Sequence, residues 1–290
     1  MTFTFFVQIF VNGLMLGLTY VLIALGFSLI YGIMRLLNFA HGEFYMLGAF
    51  ATYLLCEHLG VNYFLSFLLS MVIMAVLGIL VYRFFFRPFR DQHDPSLVVA
   101  LGLAMLIGGL ALLVFGEKDK SVSPVFSGVI KFLGATLSME RIVVIVVAML
   151  LMVLLTVYIK FSKTGQAMRA VAQDREAAAL QGIGVDSTFT LCMAISSALA
   201  GAAGSLLAPL FFVNPFLGMH AVLKALVVVV IGGLGSIPGA IAGGLLLGFV
   251  ESFGNTFFGD VTEILGFVLV MLILLFRPTG IFGQREIQRV

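Results

Sequence analysis

Charged residues are scarce in this sequence, and their scarcity excludes an ordinary soluble domain. Only 10% of the residues are charged and 61% are hydrophobic, against about 25% and 45–50% in soluble globular proteins. The formal net charge of +2 comes from scattered basic residues, so it gives no electrostatic footprint for nucleic acid. The composition therefore predicts an integral membrane protein.

Cysteines are few, and a nucleotide-binding motif is absent. Cys56 and Cys192 lie in apolar stretches without metal-ligand spacing, so we interpret both as small core residues. The sequence contains no G-x-x-x-x-G-K-[ST] motif, which is the loop that cradles the phosphates of ATP in many ATPases. We expect no metal site and no cofactor held by this chain itself.

Apolar runs dominate the chain, and several are long enough to cross about 30 Å of hydrocarbon as helices. The runs are residues 3–33, 44–56, 63–82, 96–115, 142–158, 189–212, 225–250 and 264–276. They predict an all-α, polytopic membrane protein, a single transmembrane domain over residues 1–290 with about eight or nine transmembrane helices. Gly13, Gly17 and Gly26 in the first run are interpreted as sites of close helix packing.

A glycine-rich break interrupts the run 225–250. It reads G-G-L-G-S-I-P-G at residues 232–239 and includes Gly232, Gly233 and Gly235. Such breaks form discontinuous helices next to transport pathways, and they also form tight helical hairpins. Both interpretations remain open from the sequence.

Polar residues separate the first two apolar runs, and their closeness to the membrane needs a reason. Asn38, His41, Gly42 and Glu43 follow Arg35, and a charge at the bilayer centre costs about 2.5–3.5 kcal/mol on insertion scales. One interpretation is a cytoplasmic turn, with Arg35 as an anchor, Asn38 as an N-cap and Glu43 near a positive helix end.

A second interpretation places these polar side chains beside the glycine-rich break, as a gate or as hydrogen-bonding contacts at the inner end of a pathway. A third would make His41 and Glu43 a metal or acid–base pair of an intramembrane enzyme. Zinc sites normally have three or four ligands, so this third interpretation is disfavoured.

Residues 160–186, here called the coupling segment, form the longest polar-rich interruption of the chain. Residues 166–180 contain no glycine or proline and are rich in good helix formers, so we predict one short amphipathic helix of about four turns. Gly182 follows where a left-handed C-terminal cap favours glycine. The segment is either a surface helix that joins two spans or a helix that docks on another protein.

The distribution of basic residues predicts which side faces the cytoplasm. With the coupling segment inside, most basic residues also fall inside, as the positive-inside rule requires: Arg35, Arg83, Arg87, Arg90, Lys160, Lys163, Arg169, Arg175, Arg277, Arg285 and Arg289. The N-terminus is then outside. Lys224 is expected to snorkel toward the outer surface, and Glu251 to lie around an external turn.

Four sequence blocks together resemble one family of permeases. They are L-G-F-S-L-I-Y-G at residues 25–32, N-F-A-H-G-E at 38–43, G-Q-A-M-R-A-V-A-Q-D at 165–174 and I-G-G-L-G-S-I-P-G-A at 231–240. In this order and spacing they resemble the LivH-type permeases of the branched-chain amino acid ABC importers. The string E-A-A-x-x-x-G at residues 176–182 also resembles the coupling-helix signature of ABC importer permeases.

The resemblance implies a role for each polar part of the coupling segment. A helix in this position would lie in a cleft of a cytoplasmic ATPase. Arg169, Asp174, Arg175 and Glu176 would supply polar contacts, Ala177 and Ala178 close packing, and Gly182 the turn.

The resemblance also implies partners: a second, LivM-type permease, two cytoplasmic ATP-binding subunits that carry the ATP and Mg²⁺, and a substrate-binding protein outside. The location implied is the cytoplasmic (inner) membrane of a bacterium or archaeon.

Two other transport functions are alternatives to a branched-chain amino acid importer. Importers of urea and short-chain amides use related permeases, and nothing in the sequence identifies the transported substrate. A self-sufficient secondary transporter usually shows intramembrane charges for ion coupling, whereas almost all charges in this chain are predicted to fall at the ends of spans.

Overall fold

The computed structural model describes residues 3–90, 92–126, 128–132, 134–259 and 262–283. Arg285 and Arg289, assigned to the inner side above, lie outside the described residues. In the described part the chain forms eleven α-helices and one β-hairpin. The helices are α1 (Phe3–Met34), α2 (His41–Tyr53), α3 (Tyr63–Val81), α4 (His93–Phe115), α5 (Met139–Phe161), α6 (Lys163–Gln173), α7 (Arg175–Leu180), α8 (Val185–Leu207), α9 (Leu217–Gly232), α10 (Ile237–Phe258) and α11 (Thr262–Phe276).

The helical architecture agrees with the predicted class of membrane protein. Among the described residues, six helical stretches are long and apolar enough to cross a membrane: Phe3–Met34, Tyr63–Phe89, Asp94–Phe115, Met139–Phe161, Val185–Leu207 and Ile237–Phe258. Two shorter apolar helices, Leu217–Gly232 and Ile264–Phe276, accompany them. Each apolar helix satisfies its own backbone hydrogen bonds, which a membrane interior requires.

Helix α1 is the centre of the bundle. It packs against α5, α8, α9 and α10, and the side chains of residues 21–25 are almost completely buried. Gly13 and Gly17 face Gly244 and Gly248 of α10, where an added Cβ would collide with the opposing helix. The predicted role of the α1 glycines in close packing is confirmed.

Helix α2 begins inside the helical layer. The chain leaves α1 at Met34, and His41 Nε2 lies 3.1 Å from the carbonyl oxygen of Ile23. Ile23 is eleven residues before Met34, which is about 16 Å along a helix. The intervening residues therefore re-enter the layer, and the interpretation of this stretch as an ordinary cytoplasmic turn is wrong.

The α9–α10 connection is a tight helical hairpin, the second of the two structures that the glycine-rich break allowed. Gly233 and Gly235 have φ angles of +101° and +77°, which glycine adopts without steric cost. The hydroxyl of Ser236 accepts a hydrogen bond from Gly239 N at 3.1 Å and caps α10. Gly232 and Gly239 approach too closely for either to carry a Cβ.

The opposite end of the bundle carries structure that the sequence did not predict. Between α4 and α5, Val129–Phe132 (β1) and Ala135–Ser138 (β2) form an antiparallel hairpin. Lys120 also pairs with Val213 in an isolated bridge. This end, here called the hairpin end, lies far from the coupling segment because α5 connects the two.

Candidate functional site

The coupling segment consists of two helices, α6 and α7, where one continuous helix was predicted. The helix breaks at Asp174, whose backbone is extended at φ −156° and ψ 115°. The Asp174 carboxylate accepts hydrogen bonds from the backbone N–H groups of Glu176 and Ala177, both at 2.9 Å. An aspartate side chain offers the backbone a cap that competes with a continuing helix, and here the cap forms.

The two ends of the segment are defined by short-range contacts. Ser162 Oγ accepts a hydrogen bond from Gly165 N at 2.9 Å and starts α6. Gly182 has a φ angle of +80° and follows α7, as predicted. Ile183 N donates to Ala178 O at 3.0 Å across this turn. The predicted cap at Gly182 is therefore confirmed.

The surface of the segment divides into a buried and an exposed side. Met168, Val171 and Ala178 are buried against the core of the chain, whereas Arg169, Asp174, Glu176 and Ala177 are exposed. Ala178 was expected to pack on a partner, but only 4% of it is exposed. In this conformation Ala178 packs internally, whereas Ala177 and Ala179 are the alanines of α7 that a partner can reach.

Leu180 is an exposed residue that sequence reasoning did not single out. It is the last residue of α7 and is 86% exposed, although it is a large apolar side chain. The other residues of α7 are Arg175, Glu176 and three alanines. A single exposed leucine is common on protein surfaces, so Leu180 is included in the candidate surface because it lies one turn from the exposed Glu176 and Ala177.

Arg175 joins the coupling segment to two helices of the bundle. Its guanidinium donates a hydrogen bond to the Met34 carbonyl at the end of α1 and lies 5.1 Å from the ring centroid of Phe189 in α8, within the range of a cation–π contact. Arg175 was predicted to contact a partner, and here its partners are internal. A displacement of α7 would therefore act on α1 and α8.

The start of α8 is held by a cluster of polar side chains next to the coupling segment. Asp186 accepts a hydrogen bond from the Tyr82 hydroxyl at 2.9 Å. The same carboxylate oxygen lies 3.2 Å from Arg87 Nε and 3.5 Å from Arg90 Nη1. These ion pairs are partly exposed and each adds little stability, but they join the end of α3 to the start of α8.

The polar residues at the start of α2 are buried in the helical layer. Asn38 Oδ1 accepts a hydrogen bond from Ala40 N at 3.1 Å, while Asn38 Nδ2 and His41 Nδ1 have no hydrogen-bond partner among the described residues. The His41 ring packs edge-on against Phe27. Gly26 is required at this crossing because a Cβ there would meet the imidazole ring.

Glu43 lies beside the first turn of α9. Its carboxylate is 6% exposed and packs where a Cβ on Gly218 would be, and Gly42 packs against the Gly218 carbonyl. Glu43 is in the first turn of α2, and Gly218 is in the first turn of α9. Helix N-termini carry partial positive charge, which favours a carboxylate at this place.

The predicted meeting of Glu43 with the glycine-rich break does not occur. Gly218 is fourteen residues from Gly232 along α9, or about 21 Å at the rise of a helix. Gly235 instead packs against Gly32 of α1, and Gly233 against the residues that follow α11. The break lies at the end of the bundle that carries the coupling segment, whereas Glu43 lies deeper.

A cavity of about 570 Å³ opens between α1, α9 and α10. Lys224 and Glu251 form an ion pair across it, and the Tyr20 hydroxyl donates to Glu251 Oε2 at 2.5 Å. The apolar side chains of the lining include those of Met15, Leu16, Ile23, Phe211 and Leu217, and the polar ones include Arg141 and His220. We call this space the α1–α9–α10 cavity.

The depth of the ion pair corrects the expectations for both residues. Lys224 is the eighth of sixteen residues of α9, and Glu251 is the fifteenth of twenty-two in α10. Their side chains are only 23% and 7% exposed. Lys224 therefore does not snorkel, and Glu251 is not at an external turn. Because the two residues lie on different helices, the sequence pattern around either one did not predict their pairing.

The sequence is similar to characterised permeases along its whole length. Residues 9–276 match a family model described as "Branched-chain amino acid transport system / permease component". The chain is 34% identical to the high-affinity branched-chain amino acid transport system permease protein LivH of Escherichia coli K12, over 99% of each chain. It is 36% identical to BraD of Pseudomonas aeruginosa, over 98% of each chain. It is 26% identical to LivM of Salmonella typhimurium, over 93% of this chain and 69% of that protein.

Proposed function

Because this chain belongs to the family of branched-chain amino acid transport permease components, we propose that it is the membrane permease subunit of an ATP-driven importer of branched-chain amino acids. The relatives named LivH and BraD are described as high-affinity branched-chain amino acid permeases. The chain would form part of the pathway and transmit the ATPase cycle to it. The matches do not favour the related urea and amide importers.

The proposed partners follow from the kind of machine that such a permease needs. A second, LivM-type permease completes the pathway, and the similarity of this chain to LivM is consistent with a pair of related permeases. Two cytoplasmic ATP-binding subunits bind ATP and Mg²⁺, because this chain carries no P-loop motif. A binding protein outside delivers the substrate.

The proposed topology has nine membrane crossings, by α1, α2, α3, α4, α5, α8, α9, α10 and α11. We count the shorter helices α2, α9 and α11 as crossings because successive loops then alternate between the two sides of the membrane. The N-terminus is then outside and the coupling segment is inside, in agreement with the distribution of basic residues. We place the protein in the cytoplasmic (inner) membrane of a bacterium or archaeon.

The observation that carries the coupling part of the proposal is the pair of contacts that Arg175 makes. Asp174, Glu176, Ala177 and Leu180 offer an exposed surface on which the ATPase docks. Arg175 fixes the same short helix to α1 and α8. Closure of the ATPases would move α7, and α7 would move the two bundle helices. Arg169 adds a charge to the docking surface, and Gly182 allows the turn into α8.

We test docking with the double substitution Glu176→Lys, Gly182→Asp. It reverses a charge on the docking surface and puts a side chain on a residue with φ of +80°. Residues other than glycine are strained in this backbone conformation. We expect uptake of leucine to fall by about tenfold or more, while the permease still inserts. Lys131→Glu, a charge reversal on the exposed hairpin, is the control. Normal uptake by the double variant would contradict the docking role.

The buried polar residues at the start of α2 form the gating part of the proposal. Asn38, His41 and Glu43 present polar atoms in the layer, and Gly42 allows α2 to approach α9 closely. Gly232, Gly233 and Gly235 give the α9–α10 turn its close contacts with α1 and with the chain after α11. We propose that these two places rearrange together, through α9, when the pathway opens.

A further inference from the structure

The Lys224–Glu251 pair is a costly arrangement that stability does not explain. Lys224 lies at the middle of α9 and Glu251 lies two turns inside the end of α10, and ionisable groups within apolar helices are expensive and mark pathways. Replacing a buried ion pair with apolar residues of similar size is often neutral or stabilising. A bundle that only needed α9 held to α10 would be served by apolar side chains, since Gly243 already packs against the carbonyl of Val228.

The chemistry of the α1–α9–α10 cavity indicates what it binds. The cavity is lined by the Lys224 ammonium, the Arg141 guanidinium and the Glu251 carboxylate, together with aliphatic and aromatic side chains. Arg141 already donates to Asn12 Oδ1, so the Lys224–Glu251 pair supplies the cation and the anion for a ligand. Its volume of about 570 Å³ is within the usual range for small-molecule sites. A ligand that matches all three features carries a carboxylate, an ammonium group and an apolar side chain.

We propose that Lys224 and Glu251 form a binding site for a zwitterionic, apolar amino acid on its way through the permease. The Lys224 ammonium would bind the carboxylate of the substrate, and the Glu251 carboxylate would bind its amino group. The Tyr20 hydroxyl, which already donates to Glu251, would hold that carboxylate in position. This inference rests on the proposed function and assigns the substrate a place within it.

The ion pair gives selectivity because Lys224 and Glu251 both remain paired with and without the substrate. In the empty state their two charges neutralise each other, while Arg141 donates to Asn12. A zwitterion replaces one ion pair with two, so neither Lys224 nor Glu251 is left unpaired in the low-dielectric layer. A neutral amide has no charge for either residue, and a singly charged solute leaves one residue unpaired. Because the pair re-forms after release, binding remains weak enough for passage.

The test is a cycle of neutral substitutions in the purified complex, with its native partners, reconstituted into lipid vesicles. The variants are Lys224→Met, Glu251→Gln and the two combined, and the readout is ATP-driven uptake of radiolabelled leucine with the binding protein present. The binding protein is identical in every sample, so its own selectivity cancels. Lys131→Met removes a lysine charge from the exposed hairpin and serves as the matched control.

A binding role and a purely structural role predict different results for the combined variant. A structural pair is harmed by single substitutions, which leave an unpaired charge, and is rescued when both charges are removed. The binding site that we propose is not rescued. We expect all three variants to lose uptake by about tenfold or more, with unchanged co-purification of the partners.

Two outcomes would overturn the inference, and they differ. Recovery of uptake in the combined variant would make the pair a structural contact and leave the proposed function intact. Absence of leucine uptake by the unsubstituted complex would remove the proposed function and this inference with it. Tyr20→Phe is a milder second test. It should raise the leucine concentration for half-maximal uptake several-fold, and an unchanged value would contradict the role given to Glu251.

Discussion

Single glycines decide where two helices of this bundle touch. Gly48 of α2 lies against the backbone of Gly201 in α8, and the Gly48 carbonyl accepts hydrogen bonds from Ser70 and Ser205 hydroxyls at 3.0 and 3.2 Å. Without a hydrophobic drive between helices in lipid, such close approach and such hydrogen bonds are the main sources of association. Gly102 of α4, by contrast, faces open space and has no such role.

We predict that Gly48→Ala lowers the free energy of unfolding by about 1–3 kcal/mol, the usual cost of overpacking. The added Cβ would overlap the Gly201 backbone, which cannot move without shifting α8. Gly102→Ala adds the same atom into open space on α4 and should be neutral or slightly stabilising. Thermal unfolding of both variants in detergent checks this, and equal midpoints would contradict the packing argument.

Unpartnered polar atoms in the layer point to a second arrangement of the bundle. Asn38 Nδ2 and Glu43 Oε2 lack a hydrogen-bond partner among the described residues, although an unsatisfied buried group costs about 1–3 kcal/mol. Buried groups of this kind require an explanation, and a partner that forms in another state of the transport cycle supplies one.

We predict that Asn38→Leu, Glu43→Leu lowers leucine uptake by about tenfold while the complex still assembles. The substitutions remove the groups that would form hydrogen bonds in the other state. In this state they also remove the Asn38–Ala40 bond and the packing of the Glu43 carboxylate against Gly218. Co-purification of the partners is the control for assembly. Uptake at the unsubstituted rate would remove these two residues from the mechanism.

At the scale of elements, the coupling segment depends on one cap. Asp174 ends α6 and starts α7 through two hydrogen bonds to the backbone. A six-residue helix such as α7 has little stability of its own, so this cap and the contacts of Arg175 fix its direction. The docking surface therefore depends on a residue that need not touch the ATPase.

We predict that Asp174→Ala destabilises α7 by about 1 kcal/mol and weakens the coupling between ATP hydrolysis and leucine uptake. Asp174→Asn keeps an oxygen that accepts the same two hydrogen bonds and is expected to retain most of the coupling. The measurement is leucine taken up per ATP hydrolysed in vesicles. An alanine variant as well coupled as the asparagine variant would show that the cap is dispensable.

Sequence patterns predicted the elements whose causes are local. The apolar helices, the α9–α10 break and the turn at Gly182 depend on residues next to them in the chain, and all three are confirmed. The break at Asp174 was also local but was missed. A continuous helix was predicted because the residues around Asp174 have favourable helix propensities, although aspartate also prefers to cap a helix.

Features that depend on distant residues were not predictable in the same way. The re-entry of α2 depends on its contact with the middle of α1, and the Lys224–Glu251 pair joins residues on two helices. Charged residues were therefore placed at span ends, whereas Glu43, Lys224 and Glu251 lie inside the layer. That placement had been our argument against a secondary transporter, and the argument was wrong. The proposal of an ATP-driven importer therefore rests on the membership of this chain in the permease family.

At the scale of the whole molecule, the proposed docking surface and the proposed binding site lie at different depths of one bundle. The coupling segment is at the end where α1 stops and α10 starts, while the ion pair lies about 21 Å along α10 from its first residue. Helix α1 runs past both, contacting Arg175 at Met34 and Glu251 at Tyr20. A movement of α7 would therefore reach the cavity through a single rigid helix.

The central claim is that this chain transports only when ATPases act on its coupling segment. The most direct measurement is leucine accumulation in lipid vesicles that contain the co-purified complex, compared with vesicles that contain the permeases alone. We predict that accumulation requires ATP, the ATP-binding subunits and the binding protein, and that leucine-loaded binding protein stimulates ATP hydrolysis. Leucine accumulation by the permeases without any ATPase would contradict the account.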